Sequence, residues 1–177
     1  MRRLNLPVGQ LRWARQGAHS AEHQITRLVA VHRDQKLAYL RTVPLFESCS
    51  RAEILWLGRC CELCCVPAGY PLQSEGHHAH EAMILTRGAA LSTCRDEPLG
   101  MIGPGDLVGD TALLRRQPAT CSIRAVEEME FVAFASQNFT AALARVPSFT
   151  AAVMRKVALR RLPHELDGSL RPVRSRP

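Results

Sequence analysis

The chain has 177 residues, a formal net charge of +7, 46% hydrophobic residues and seven cysteines. This length predicts one domain of about 100–200 residues with a single core. Residues 1–36 contain seven Arg or Lys against two Asp or Glu, whereas residues 37–162 contain 13 against 12, which argues against a nucleic-acid-binding core. The basic N-terminal arm is therefore either a solvated terminus or a contact for an acidic partner, RNA or an anionic membrane surface.

The compartment follows from the absence of targeting features in the sequence. No apolar run reaches the roughly 18 residues that span a bilayer. The start MRRLNLPVGQ is positive but lacks the uninterrupted apolar centre of a signal peptide. The odd number of cysteines also argues against a disulfide framework. We expect a cytoplasmic protein with reduced thiols and no membrane span.

Helical periodicity dominates the chain up to about residue 61. A first helix is predicted by four residues at i, i+3, i+4 and i+7 spacing: Ile25, Leu28, Val29 and His32. A short helical segment over 37–46 should end at Pro44. Ser50 can then cap a helix that ends near Cys61, because Glu53 stands three residues after it, at the capping-box position.

From residue 66 to residue 134 the sequence changes to short apolar pieces separated by turn residues, which predicts many short strands. Residues 83–85 and 89–94 are expected to form one hairpin around Arg87-Gly88. The next strand alternates inward Cys121, Ile123 and Ala125 with outward Ser122 and Arg124. These patterns predict a small antiparallel β-barrel or double-sheet roll.

Two helices and a tail complete the chain. Ser136 is expected to cap a helix over SQNFTAALARV, and a last helix should start at Pro147 and be stopped by Pro163. The division is then a basic arm (1–36), a domain (37–162) and a disordered polar tail (163–177). A helix-turn-helix would need about 50 further residues, so we expect no DNA-binding domain.

Several local motifs occur in an order that resembles one known family. In chain order they are LRTVPLF, VPAGYPLQSEG, EAMILTRGAAL, LGMIGPGDLVGDTALLRRQPATCSIRA and SQNFTAALARVP. This order is similar to that of the cyclic nucleotide-binding domain of catabolite-activator-type regulators, kinase regulatory subunits and gated channels, over about residues 37–162. The resemblance implies an α+β fold, in which an antiparallel, jelly-roll-like β-roll is flanked by N-terminal and C-terminal helices.

The resemblance also implies a ligand site at the phosphate-binding cassette of the family, which has the pattern F-G-E-x-A-L followed by P-R-x-A-T/S-V. Five residues match its first half: Gly109, Asp110, Thr111, Ala112 and Leu113. The family's glutamate accepts a ribose hydroxyl, and Asp110 takes its place with a side chain shorter by one methylene. Gly109 and the amides of Ala112 and Leu113 are expected to hold a cyclic phosphate.

The second half of the cassette lacks its charge. Ala119 stands where the family has the arginine that contacts the phosphate, while Thr120 and Ser122 occupy positions that flank the phosphate and base. Losing a charge-assisted hydrogen bond of about 1.5–3 kcal/mol weakens binding by roughly tenfold to a hundredfold. Three arginines are candidates to replace it, unless they are simply solvated surface residues: Arg115, Arg116 and Arg124.

Two clusters outside the cassette each have two readings. RCCELCCVP brings together Cys60, Cys61, Cys64 and Cys65, whose spacing fits either core packing or a metal or redox site. GHHAHE contains His77, His78, His80 and Glu81, which are either exposed loop residues or ligands for a transition metal.

Two functions therefore stay open at the level of sequence. The chain is either a regulatory module that binds cAMP or cGMP weakly, or a scaffolding module whose cassette binds no nucleotide. In both cases output passes through a protein partner or self-association, by way of the last helix. No catalytic triad, paired carboxylates or nucleotide-triphosphate motif is present, so an enzyme is not expected.

Overall fold

The computed structural model describes residues 26–27 and 33–166. In chain order the elements are β1 (Thr26–Arg27), α1 (Arg33–Leu40), a 3-10 turn (Pro44–Phe46), α2 (Arg51–Cys60), β2 (Glu62–Val66), β3 (Pro71–Gln73), β4 (Glu81–Arg87), β5 (Ala90–Cys94), β6 (Glu97–Ile102), β7 (Leu107–Val108), α3 (Asp110–Arg115), β8 (Ser122–Ala125), β9 (Met129–Ala135), α4 (Ser136–Arg145) and α5 (Pro147–Leu166).

The strands form two antiparallel sheets that enclose part of the core. One sheet has the order β1-β2-β9-β4-β7, and the other has the order β3-β8-β5-β6. Residues that face inward from both sheets, such as Leu85, Ile123 and Phe131, form one buried cluster. The expected alternation in β8 is present, because Ile123 and Ala125 are buried while Arg124 is exposed. The predicted fold class, an antiparallel β-roll with flanking helices, is confirmed.

The predicted hairpin around Arg87-Gly88 is wrong, because β4 and β5 belong to different sheets. Strand β4 pairs with β7 and β9, whereas β5 pairs with β6 and β8. Gly88 has a φ of 82°, and a Cβ atom at this position would lie 2.5 Å from the carbonyl oxygen of Glu128. The chain therefore crosses from one sheet to the other at a close backbone approach that mimics a hairpin turn in sequence.

The N-terminal helices differ from the expectation in two places. Thr26 and Arg27 form a strand that pairs with β2, with Thr26 opposite Cys65, so helical spacing does not describe this point of the chain. The four residues on which that helix was predicted, Ile25, Leu28, Val29 and His32, lie outside the described residues. Helix α1 ends at Leu40, before Pro44, which instead starts the 3-10 turn after an extended Val43.

Helix α2 has the capping box that the sequence predicts. The hydroxyl of Ser50 accepts from the amide of Glu53 at 3.3 Å, and the Glu53 carboxylate accepts from the amide of Ser50 at 2.6 Å. These hydrogen bonds lower the pKa of Glu53 below its ordinary value. The same carboxylate also accepts from Ser148 Oγ at 3.1 Å, so one side chain joins the start of α2 to the start of α5.

The last two helices require two corrections. Ser136 is the first residue of α4 and provides no side-chain cap, because the position before the helix is Ala135. Helix α5 starts at Pro147 as expected but continues beyond Pro163 to Leu166. Pro163 has no amide proton to donate to the carbonyl of Leu159, so α5 continues past it with one intrahelical hydrogen bond missing. No helix among the described residues is long and apolar enough to cross a bilayer.

Four phenylalanine rings join the helices to the roll. They come from the 3-10 turn, β9, α4 and α5: Phe46, Phe134, Phe139 and Phe149. Phe149 lies 5.6 Å from Phe46 and 5.7 Å from Phe134, measured between ring centroids, and meets Phe139 edge-on at 6.1 Å. Such pairs add about 0.5–1.5 kcal/mol each beyond area burial. This cluster fixes the line along which α5 leaves the core.

We expect the Phe149→Ala variant to lose about 3–5 kcal/mol of unfolding free energy, because a fully buried ring with three aromatic neighbours leaves a cavity. Urea denaturation followed by circular dichroism measures the loss. Leu159→Ala on the same helix is the control, since Leu159 is 58% exposed and its truncation should change stability by no more than about 0.5 kcal/mol. Equal losses in the two variants would contradict the assignment of Phe149 to the core.

Gly88→Ala should destabilise the protein more than Gly69→Ala. Both glycines have a φ near 80°, but a Cβ at Gly69 meets nothing within 4 Å, whereas one at Gly88 meets backbone atoms at 2.5 and 3.0 Å. Gly69→Ala thus isolates the left-handed backbone cost of about 1–2 kcal/mol, and Gly88→Ala adds a steric cost. Thermal unfolding of both variants tests this order, and indistinguishable melting temperatures would refute the close approach at Gly88.

Candidate functional site

A glycine closes the turn between β7 and α3. Gly109 has a φ of 82°, and a Cβ atom there would lie 2.3 Å from the carbonyl oxygen of Glu81 in β4. Any other residue at this position would have to displace the β4 backbone. The contact with Glu81 therefore fixes the start of α3 against the sheet, and with it the first half of the cassette.

Asp110, the first residue of α3, has a buried carboxylate, and a cation from α5 lies beside it. Its side chain is 1% exposed, and both of its oxygens bind Arg160 of α5. Arg160 Nη1 lies 3.2 Å from Oδ1, and Nη2 lies 3.0 Å from Oδ2. A buried carboxylate without such a partner would be strongly destabilising. Asp110 and Arg160 therefore hold α3 and α5 together.

A second ion pair lies one helical turn earlier on α5. Lys156 Nζ binds Asp106 Oδ1 at 3.2 Å, and the other oxygen of Asp106 accepts from the amide of Gly103 at 3.0 Å. We call Asp106–Lys156 and Asp110–Arg160 the α5 ion pairs. Sequence reasoning missed both, although the matched spacing of four residues on each side was a signal that could have suggested them.

The remaining residues of the first half form the short helix α3. Thr111 and Leu113 are half-buried and Ala112 is buried. The amide of Leu113 donates to the carbonyl of Gly109 at 3.0 Å. It closes the first turn of α3 and is not the free donor that the sequence analysis expected. The amides of Thr111 and Ala112 precede the first intrahelical bond and have no acceptor within the helix.

The second half of the cassette is held by the loop between β3 and β4. Ala119 is buried; its amide donates to the carbonyl of His77, and its carbonyl accepts from the amide of Gly76, both at 2.8 Å. Ser122 Oγ accepts from the amide of Glu75 at 3.0 Å, while Thr120 is exposed. The position of the family's arginine is therefore an uncharged, fully hydrogen-bonded backbone segment.

The same loop reaches both halves of the cassette, a role that sequence reasoning missed. Besides its contacts with Ala119 and Ser122, it places Ala79 Cβ 3.6 Å from the Cβ position of Gly109. The carboxylate of Glu75 accepts from the amide of Arg95 at 2.9 Å, which ties the loop to the turn after β5. The loop thus supports the site, although the histidines on it are exposed: His77, His78 and His80.

The three arginines considered as replacements are placed elsewhere. Arg124 Nη1 donates to the carbonyl of Gly69 at 2.6 Å, at the turn before β3. Arg115 and Arg116 are exposed and stand at the opposite end of α3 from Asp110. Arg160 was not among the predicted replacements, yet its guanidinium lies beside the cassette.

The cysteines lie mainly in packed surroundings. Cys61 and Cys64 are buried, and Cys60 and Cys65 are half-buried. Burial raises the pKa of Cys61 to about 11 and also raises the pKa of Cys60 and of Cys65. Such thiols are protonated at neutral pH and react slowly. Within the described part of the chain, no three His, Cys, Asp or Glu residues are grouped so that they could hold a metal ion.

Comparison with known proteins gives the family. Three solved structures share the fold. The regulatory domain of Toxoplasma gondii PKA with cAMP has 15% identity and a TM-score of 0.62, covering 71% of this chain and 49% of that one. The catabolite activator protein of Thermus thermophilus has 26% identity and a TM-score of 0.60, with 70% and 62% covered.

The third structure is a regulatory subunit of a cAMP-independent protein kinase A from Trypanosoma brucei. It is a triple mutant bound to cAMP in its A site, and one of its substitutions introduces an arginine. It has 16% identity and a TM-score of 0.63, with 76% of this chain and 51% of that one covered. The chain thus spans about half the length of the two kinase subunits.

None of the curated proteins compared with the sequence matches it. The profile described as "Cyclic nucleotide-binding domain" matches residues 44–146, which is more than half of the chain and contains the Gly109 turn and the Ala119–Ser122 segment. With the two-sheet roll and the cassette turn, this match establishes that the chain belongs to the cyclic nucleotide-binding domain family.

Proposed function

We propose that this chain is a regulatory module that binds a cyclic nucleotide, cAMP or cGMP, with reduced affinity at its cassette. The observation that carries the proposal is the Gly109 turn, which keeps the shape of the cassette by packing against the Glu81 carbonyl. A family whose domains regulate other proteins supports a non-catalytic, cytoplasmic role. The module is assigned to residues 37–162, with residues 1–36 as a basic arm and residues 163–177 as a tail.

The polar groups left for a ligand are the amides of Thr111 and Ala112 and two hydroxyls. Ser122 Oγ accepts a hydrogen bond from the protein, so its own proton is free to be donated. Thr120 has an exposed side chain beside Ala119. Asp110 lies next to these groups. These groups can form hydrogen bonds with a phosphate and a sugar. Because backbone amides carry no full positive charge, we expect the affinity for the phosphate to be reduced.

Output is proposed to pass through α5 to a protein partner or a second copy of the chain. The α5 ion pairs connect this helix directly to the cassette turn, so a ligand that shifts the turn also shifts α5. Met154 and Leu159 on α5 are 42% and 58% exposed and offer apolar contact area to a partner.

Ala119 favours a second candidate, a module that binds no nucleotide and acts by protein contacts alone. The cassette arginine is absent and the backbone of Ala119 is used internally. The Trypanosoma brucei subunit, which has the same fold, belongs to a kinase described as cAMP-independent. That structure with cAMP is of a triple mutant in which one substitution introduces an arginine. A substitution that introduces an arginine at Ala119 is therefore a suitable test of this chain.

Titration calorimetry with cAMP and with cGMP, on the unmodified chain and on Ala119→Arg, separates the two candidates. We expect saturable binding by the unmodified chain, and roughly tenfold to a hundredfold tighter binding by Ala119→Arg, because the variant regains a charge-assisted contact. Thr120→Arg is the matched control, since it adds the same charge at the exposed neighbouring position.

Binding by Ala119→Arg alone would reject the sensor and favour the module that binds no nucleotide. Equal gains in Ala119→Arg and Thr120→Arg would show a general charge effect and contradict the specific loss at Ala119. Because Ala119 is buried, the melting temperature of its variant is measured alongside, and an unfolded variant is replaced by Ala119→Lys.

A further inference from the structure

The cassette contains no cation of its own at Ala119, yet a guanidinium from α5 lies at its first helical residue. Arg160 binds Asp110 end-on, through Nη1 at 3.2 Å and Nη2 at 3.0 Å. The other described arginines near the cassette differ from it, because Arg124 donates to Gly69 and Arg115 and Arg116 stand at the far end of α3. Arg160 is thus the described guanidinium that is fixed beside the Gly109 turn.

The geometry leaves Arg160 able to bind a second anion. A carboxylate bound end-on through Nη1 and Nη2 uses two of the five N–H donors of the guanidinium, and the N–H of Nε and the second N–H of each Nη point away from it. The Asp110 side chain is 1% exposed, whereas that of Arg160 is 43% exposed. The carboxylate therefore lies on the protein side of the pair and part of the guanidinium lies on the solvent side, where a ligand arrives.

The position of Arg160 is also fixed along the helix. One turn earlier, Lys156 binds Asp106, whose second oxygen is held by the Gly103 amide. Upstream, Phe149 anchors α5 in the aromatic cluster. A long side chain held at its end by a buried carboxylate loses little further freedom when it binds a ligand, and such preorganisation favours affinity.

We propose that Arg160 replaces the missing cassette arginine and binds the phosphate of the nucleotide, while Asp110 positions Arg160 and does not bind the ribose. This inference rests on the proposed function, since it names the cation of the same site. It reverses the role that the family resemblance implies for the residue at position 110. It also makes α5 part of the ligand site, so that the ligand contacts the output helix directly.

The test compares two glutamine variants in α5. Arg160→Gln removes the proposed phosphate contact. Arg155→Gln is the control, because it removes an equal charge from an exposed position of the same helix that belongs to neither α5 ion pair. Nuclear magnetic resonance titrations with cAMP, which reach millimolar dissociation constants, measure the affinity. We expect a loss of roughly tenfold to a hundredfold for Arg160→Gln and less than about threefold for Arg155→Gln. Binding should also depend less on salt in Arg160→Gln than in the unmodified chain.

Removal of Arg160 leaves Asp110 buried without this partner, so a second variant protects the test against misfolding. Arg160→Gln combined with Asp110→Asn replaces the ion pair by two neutral amides. It should remain folded, as judged by its melting temperature, and should show the same loss of affinity as the single variant. Normal affinity in this folded double variant would overturn the proposal.

The role of Asp110 is tested with 2′-deoxy-cAMP, a readout that a structural role alone would not move. If Asp110 positions Arg160, the unmodified chain should bind the deoxy analogue within about threefold of cAMP. A tenfold or greater preference for cAMP would mean that Asp110 accepts the ribose hydroxyl and would overturn the assignment. If the unmodified chain binds neither compound, the proposed function itself fails; if it binds and Arg160→Gln binds equally well, only the inference about Arg160 fails.

Discussion

The packing of four phenylalanine rings is the constraint on which the geometry of the site depends. Phe134 belongs to the sheet, Phe46 to the 3-10 turn and Phe139 to α4, and all three contact Phe149 at the start of α5. With its start fixed in this way, α5 runs past the β7–α3 turn, and Lys156 and Arg160 come within hydrogen-bond distance of Asp106 and Asp110. Aromatic packing in the core thus determines which charges meet at the cassette, about two to three turns further along the helix.

The buried carboxylate of Asp110 and the docked position of α5 depend on each other for electrostatic reasons. A carboxylate as buried as Asp110 is tolerated only when a cation and its hydrogen bonds compensate the lost hydration. Arg160 provides both, but only while α5 is docked. In the Asp106–Lys156 pair both side chains are partly exposed, whereas Asp110 is buried, and pairs exposed on both sides contribute about 0–1 kcal/mol. The buried pair therefore provides the main electrostatic attachment of α5 to the cassette. The exposed pair constrains the orientation of α5 more than it stabilises the fold.

Much of the fold could be predicted from the sequence, because its signals are local. Ser50 and Glu53 specify a capping box within four residues, and the alternation of Ile123, Arg124 and Ala125 specifies one face of a strand. The errors arose where tertiary contacts decide. Gly88 has the sequence signature of a hairpin, but its close approach to Glu128 turns the chain into the other sheet. Thr26 follows a helical pattern, but pairing with Cys65 makes it a strand.

The candidate site was predictable only in its local part. The Gly109 turn and the substitution at Ala119 are visible in sequence because they lie within one short motif. Arg160 was not identified because 50 residues separate it from Asp110, and only the docking of α5 brings the two together. The histidine-containing loop before β4 could be interpreted from the sequence as exposed or as metal-binding, but neither interpretation predicts that its backbone holds Ala119 and Ser122. Backbone hydrogen bonds of this kind have no side-chain signature.

The short strand β1 has a consequence for how the domain is delimited. Thr26 and Arg27 occupy the outer side of β2, whose backbone would otherwise be the open edge of the first sheet. Open edges are templates for pairing with other chains, and proteins usually cover or blunt them. A fragment trimmed to residues 37–162, the span that the sequence alone suggests, would lose this cover and leave the backbone of Cys64 and Cys65 along a free edge. The strand that covers this edge, Thr26–Arg27, therefore lies before residue 37, and a boundary drawn there leaves out one strand of the first sheet.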